Sequence, residues 1–371
     1  MSGILLLAEC VDTAPPTAVP TPSSTKTAAP LATPTTSAST SLPFFTPTPV
    51  PSSAPTLVGS ASARVEAMIP VPGIPDGLAV SRGYVYVLQR YKPFPSPGAV
   101  LRIDRANNQV VGAPIRLNFD PWSIAADDDA VWVAKNGPGA VVRIDPQTYQ
   151  IVVTLDMDAS LVAADARGVW LSGAGENSPN PNTASRVDPA TNRVVGTPIA
   201  VGIEPIQMAR GAGSVWVGAH SGPPGITRID LTTGKVIATI EVGFAVHDLG
   251  ASSNSVWVAD YHDSKVVQIS PRTNRIVGEP ISLPFPPYAV AVSATDVWVG
   301  GAPSFDNPAG PGNDWLVRID SRTNTIVDTL HLGSGPLAMA LDNVGALWVA
   351  LGAPNRIVKV VPQPLATPLP K

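Results

Sequence analysis

From residue 64 to residue 362, short runs of Val, Ile, Leu and Ala alternate with clusters rich in Gly, Asn, Asp and Pro. The apolar runs follow a two-residue period and no window carries a 3.6-residue one, which predicts strands throughout and almost no helix. The pattern also repeats. An aromatic residue flanked by aliphatic ones recurs seven times, at Tyr86, Trp132, Trp170, Trp216, Trp257, Trp298 and Trp348, and the steps from Trp216 to Trp257 and on to Trp298 are each 41 residues. The copy at 206–242 reads as four strands, 206–211, 215–218, 226–230 and 235–242, with turns at Gly211-Ala212-Gly213-Ser214 and Thr232-Thr233-Gly234. A period of about 40–45 residues built only from strands predicts a β-propeller, one blade of four antiparallel strands per repeat.

The two ends of the repeat region settle the count. The seventh copy stops at 356–362, after its third strand, and the missing fourth strand stands at the other end. Residues 64–71 (Arg-Val-Glu-Ala-Met-Ile-Pro-Val) align without a gap to the fourth strand at 235–242. Pairing them with the last copy closes the ring and removes its open edges. The expected fold is therefore all-β, a seven-bladed propeller over 64–362 whose last blade is completed by 64–71.

Within such a fold the repeat is an internal control: what most blades share serves the blade, and what breaks the pattern needs its own reason. The seven aromatics belong to the first kind and are expected to lie between blades. So do Asp104, Asp145, Asp188, Asp230 and Asp320, each placed to bond the amides of the turn after the third strand, a task Ser270 performs more weakly in its copy. The exceptions gather at one face, where the first strand begins and the second ends. The first-strand positions read Asp76, Trp122, Ser160, Ile206, His247, Tyr288 and Leu337, with Phe119, Ile203, Phe244 and Phe285 three residues before four of them. The loops after the second strands add Arg90, Tyr91, Lys92, Lys135, Glu176, His220, Asp260, Tyr261 and His262. The mouth of the channel is thus expected to hold a ligand, with Asp76, Phe119, Trp122, Lys135, Phe244, His247, Tyr261, Phe285 and Tyr288 as its candidate residues. His247, Asp260 and His262 share one blade and are the alternative, a site for a divalent ion.

Composition narrows the function further. Charged residues make up 14% of the 371, the net charge is -4 and no basic run is present, which argues against nucleic acid. The single cysteine, Cys10, excludes disulfides within the chain and thiolate zinc sites. No apolar stretch is long enough to span a membrane as a helix. Residues 1–10 read as part of a targeting signal, with Leu7-Ala8-Glu9-Cys10 similar to a lipobox whose cysteine would be lipidated, although Glu9 stands where a small residue is preferred. Residues 11–63 are almost entirely Pro, Thr, Ser and Ala, a composition expected to stay unfolded and to act as a stalk, and 363–371 are a shorter tail of that kind. These features lead to the expectation of an extracytoplasmic, lipid-anchored monomer that displays its propeller at the cell surface.

The recurring Val-Trp-Val-Ala (131–134), Arg-Ile-Asp-Pro (143–146) and Thr-Asn-Arg-Val-Val-Gly (191–196) resemble the bacterial YVTN-type and streptogramin-lyase-like seven-bladed propellers. The resemblance covers 64–362 and rests on scaffold residues. For activity it would imply a magnesium-assisted elimination carried by two histidines and a glutamate, with a Glu-x-x-His pair. No Glu-x-x-His occurs in this chain. No nucleophile elbow, Walker loop or zinc-protease helix occurs either. The reading is a propeller that binds a small molecule, glycan, peptide or protein partner, with no cofactor expected. The alternative is a metal-assisted lyase or hydrolase.

Overall fold

The computed structural model of the chain describes residues 56–57, 63–135, 137, 139–165, 168–173, 181–221, 225–302 and 314–363. Cys10, the bulk of the Pro/Thr/Ser-rich stretch and most of the C-terminal tail lie outside the described residues. The described part is all strand, turn and loop. Seven antiparallel sheets follow one another along the chain, and the first strand of each touches the first strand of the next, the seventh touching the first. This is a closed seven-bladed propeller.

In blade four the strands are Ile203–Gly211, Ser214–Ser221, Gly225–Asp230 and Val236–Glu241, in that order from the centre outwards. The first begins three residues before the sequence-based start, where polar Glu204 interrupts the apolar pattern. Blade seven joins Pro336–Leu341, Leu347–Gly352 and Asn355–Pro362 to the N-terminal strand Ala63–Pro70, with Arg64 opposite Val361 and Ile69 opposite Ile357. The ring is closed as the repeat predicts. Two features had no signal in the pattern. The outer strand of blade one is split into Gln109–Val110 and Ile115–Arg116, and Thr56–Leu57 adds a fifth strand to blade six beside Leu330 and His331.

All seven central aromatics are buried to 1% exposure or less. Each sits against the next blade: Trp132 with Val162, Val169 and Leu171 of blade three, Trp216 with Leu249, Val256 and Val258 of blade five, and Trp348 with Val85, Val87 and Leu101 of blade one. A ring of that size removes 150–250 Å² from water, about 4–6 kcal/mol of transfer free energy at each junction.

The third strands supply a polar clamp over this apolar seam. Opposite each aromatic stands a long side chain: Arg102, Arg143, Arg186, Arg228, Gln268, Arg318 and Lys359. Four of them lie over their own indole, among them Arg228 at 4.6 Å and Arg143 at 5.5 Å from the ring centroid. Their heads then reach acceptors in the neighbouring blade. Arg143 Nη1 donates to Pro189 O (2.7 Å) and Asn192 Oδ1 (3.1 Å), and Arg228 Nη1 to Pro271 O and Asn274 Oδ1 (2.6 Å). Lys359 carries the clamp across the closure to Asn108 Oδ1 at 3.4 Å.

The turn aspartates do what the repeat implies. Asp145 Oδ1 accepts from the amides of Gln147 (2.7 Å) and Thr148 (3.0 Å), and Asp230 Oδ1 from those of Thr232 and Thr233. Those amide bonds hold both carboxyls below the usual carboxylate range. Ser270 Oγ takes the corresponding amide of Arg272 at 3.3 Å, the longer bond expected of a hydroxyl.

Candidate functional site

The mouth is shaped by a backbone device repeated around the ring. In blades one, two, four, six and seven the pairing of first and second strands skips one residue, between Pro75 and Gly77, Pro121 and Ser123, Pro205 and Gln207, Pro287 and Ala289, and Pro336 and Ala338. The skipped residues are Asp76, Trp122, Ile206, Tyr288 and Leu337. Each follows a proline, which has no N–H to give to the ladder, so a bulge forms there and re-aims the side chain out of the strand's alternation. In blades three and five Ala159 and Val246 replace the proline, and there the amides of Ser160 and His247 bond Ser172 O (3.0 Å) and Ala259 O (3.1 Å) as the first strand begins.

Two clusters result. On blades one and two, Arg90 Nη1 donates to Asp76 Oδ2, while its Nε and Nη2 grip Asp120 Oδ1 and Oδ2, all at 2.9 Å. The faces of the guanidinium are covered by Phe94 (4.4 Å) and Trp122 (5.5 Å). Burial works against this charge, but the bonds to Asp120 and Asp76 outweigh it and raise the Arg90 pKa. Trp122 remains 42% exposed.

On blades five and six, the His247 ring lies between Tyr261 and Tyr288, with centroids 5.0 and 4.9 Å away. His262 meets Tyr261 edge-on at 5.7 Å. Burial pushes the His247 pKa down to about 4, with the neighbouring His220 and His262 adding to the shift, so this imidazole is neutral at physiological pH. Burial also raises the Tyr288 hydroxyl, helped by the charges of Asp76 and Asp248. Asp76 and Tyr288 are the skipped first-strand residues of blades one and six, so the two clusters lie on the same face of the ring.

Phe119 and Phe285 are placed elsewhere. They are 7% and 2% exposed, within the apolar clusters between blades, and Phe244 packs against such a cluster. Ser160 and Leu337 are buried, and Lys135 is half-buried at the end of its strand. Asp260 is fully buried and accepts from the amides of His262 and Asp263, both at 3.1 Å, so it serves its own turn. Among the described residues no three His, Cys, Asp or Glu side chains converge as a metal ion requires.

Sequence reasoning missed Asp120 and Asp248. Asp248 is buried beside His247 and accepts from Gln207 Nε2 (2.6 Å), Leu249 N (2.8 Å) and Val290 N (2.6 Å), tying the inner strands of blades four, five and six. Its signal was the pair of polar residues, Gln207 and Asp248, at one repeat position in adjacent blades.

No family model matches the chain, and no curated protein matches it. Solved structures do. A structure of streptogramin B lyase is 15% identical, covers 81% of this chain and is itself covered over 98%, with a TM-score of 0.62. Kuenenia stuttgartiensis hydrazine synthase is 13% identical over 80% of this chain and 96% of that one (TM-score 0.61). The WD40 β-propeller domain of Doa1 is 10% identical over 81% and 96% (TM-score 0.60). Three proteins with such different names share this architecture, so the likeness is one of fold: the chain is a seven-bladed β-propeller, similar in fold to streptogramin B lyase.

Proposed function

We propose that the chain is a binding propeller whose mouth takes an uncharged, ring-bearing ligand, best matched by an oligosaccharide. The observation that carries this reading is the neutral His247 held between Tyr261 and Tyr288. Ring faces suit the C–H faces of sugars, and a neutral imidazole both donates to and accepts from hydroxyls. Arg90 is already held by Asp76 and Asp120, which makes it a support for Trp122 rather than an anion trap. The Leu7-Ala8-Glu9-Cys10 stretch and the Pro/Thr/Ser-rich segment behind it support export and display at the surface.

A panel of oligosaccharides and proline-rich peptides screened against the full chain tests the ligand. Trp122→Ala and Tyr288→Ala are expected to weaken the binder found by about 10–100-fold, or 1–3 kcal/mol. Trp122→Ala should leave the melting temperature nearly unchanged because that ring is exposed. A binder retained equally by both variants would remove the mouth as the site. A panel in which only the peptides bind would move the ligand class. For location, fractionation of cells and mass measurement of the N-terminus decide; cytoplasmic protein with unmodified Cys10 refutes display.

A further inference from the structure

On the face opposite the mouth, the junction of blades one and two breaks the repeat at three positions. The central aromatic is Tyr86, where six blades carry Trp. Two residues earlier stands Tyr84, where the other blades have Ala130, Gly168, Ser214, Ser255, Asp296 and Ala346. In the turn after the third strand, Tyr149 occupies a left-handed position (φ 54°) that elsewhere belongs to Asn or Gly. A bulky ring at that φ is strained, and strain of this kind persists where something else requires the residue.

The three tyrosines change what the blade-one clamp can do. Arg102 is sandwiched between Tyr84 and Tyr149, with centroids 4.4 and 4.3 Å from its guanidinium carbon. In blades three and five the Asn at the turn position accepts from the clamp of the preceding blade; Tyr149 cannot, and its hydroxyl donates to Val100 O at 2.7 Å instead. Arg102 is left with one hydrogen bond, Nη1 to Pro146 O at 3.0 Å, and its Nε has no partner. Arg143 shares the unpartnered Nε, but both its acceptors in the next blade are in place. The Tyr86 hydroxyl is also buried, with Ser81 and Arg102 close to it. Beside these groups opens a cleft of about 340 Å³, lined by Ser81, Arg82, Tyr84, Arg102, Asp128 and Gln147 among others. That size suits a small molecule.

We infer that this cleft is a second ligand site, which takes the carboxylate or phosphate group of a small molecule on Arg102, with Arg82 and Ser81 beside it. Arg102 lines the cleft with a single hydrogen bond of its own, so an oxyanion there meets its guanidinium, and the tyrosine faces hold that group in one plane for it. Asp128, the carboxylate at the rim, pairs with Arg82 at 3.4 Å where both are exposed, a weak contact that a ligand can replace. The neighbouring Arg105 is committed to Asp342 at 2.9 Å.

Calorimetric titration of the full chain with inorganic phosphate, and separately with acetate, tests the site and tells the two oxyanion sources apart. Saturable binding of at least one is expected. Arg102→Gln should weaken it at least tenfold, while Arg143→Gln, the corresponding change at the next junction, should leave it within twofold. Because Arg102→Gln also removes a bond between blades, Tyr149→Asn is the second variant. It restores the repeat residue and gives Arg102 its acceptor, so binding should fall at least tenfold; because Tyr149 is buried in the apolar cluster between the blades, binding is read well below the melting temperature of the variant, which thermal unfolding fixes. Absence of saturable binding by either probe, or binding that survives Arg102→Gln or Tyr149→Asn, overturns the inference.

Discussion

Replacing Arg228 by Met tests whether the clamps, and not the apolar seam alone, hold the blades together. Arg228 is 8% exposed and has no carboxylate partner; burial accordingly lowers its pKa. Its Nε donates to Ser214 Oγ (2.8 Å), Nη1 to Asn274 Oδ1 (2.6 Å) and Pro271 O, and Nη2 to Ala212 O (3.2 Å). Methionine keeps the stem over Trp216 but strands those acceptors. An unpaired buried acceptor costs about 1–3 kcal/mol, and a hydrogen bond from a charged donor contributes about 1.5–3. Against this stands the relief of a desolvated charge, several kcal/mol in the other direction. With four acceptors and one charge, the net loss should be about 3–5 kcal/mol. Blade five supplies the calibration. There Gln268 does the same task uncharged, giving Nε2 to Ser321 O (3.3 Å) and accepting from Asn324 Nδ2 (3.1 Å). Arg228→Gln should therefore lose about half as much as Arg228→Met. Urea unfolding at neutral pH measures both. If both variants stay within about 0.5 kcal/mol of the natural chain, the clamps are ornamental and the seam alone carries the junctions.

Deleting 63–71 should leave blade seven one strand short and yield aggregating or insoluble protein, whereas deleting 1–55 should shift the melting temperature little; size-exclusion chromatography and thermal unfolding separate the two. Ser270→Asp should stabilise by a few tenths to about 1 kcal/mol, since a carboxylate can take the turn amides that the hydroxyl reaches only at 3.3 Å. The pair His247 and Asp248 predicts opposing pH effects. His247 stays neutral down to about 4, so the unfolded chain gains a proton first and stability falls as pH drops from about 6.5 to 4. Burial raises Asp248 to about 7, so the unfolded chain loses a proton first and stability falls as pH rises from about 3.8 to 7. His247→Gln should unmask the Asp248 slope, up to about 1.4 kcal/mol per pH unit between pH 4.5 and 6.5, less whatever solvent at the open mouth screens; an unchanged melting profile across that range refutes the pairing.

Blade count, ring closure and turn chemistry were legible because each is written in one repeat. The alternation around Trp216, the aspartate after Arg228-Ile229 and the match of 64–71 to 235–242 need no knowledge of the neighbouring blade. The clamps were not legible, because Arg143 meets Asn192 and Arg228 meets Asn274 across a junction more than forty residues along the chain. The mouth was half legible. The repeat marks Asp76, Trp122, His247 and Tyr288 as exceptions, and the Pro before three of them announces a bulge. It does not reveal that His247 pairs with Tyr261 and Tyr288 while Trp122 goes with Arg90. Phe119 and Phe285 looked like the same class of exception, yet an aromatic three residues before the bulge turns into the seam between blades.

The closure of blade seven also sets the order in which the molecule can be made. The four inner strands of blades one to six are assembled from neighbouring hairpins and can form as they leave the ribosome, but the strand Ala63–Pro70 pairs with Asn355–Pro362, the last strand of the ring. Until Asn355–Pro362 has emerged, Ala63–Pro70 waits with both edges unpaired. It is composed for waiting: Arg64 and Glu66 stand on it as a pair at 3.1 Å, and Pro70 ends it. Charge and proline are what keep an idle edge from recruiting another nascent chain. When the partner strand arrives, Lys359 takes Glu66 at 2.8 Å, so a residue that guarded the open edge becomes part of the finished seam.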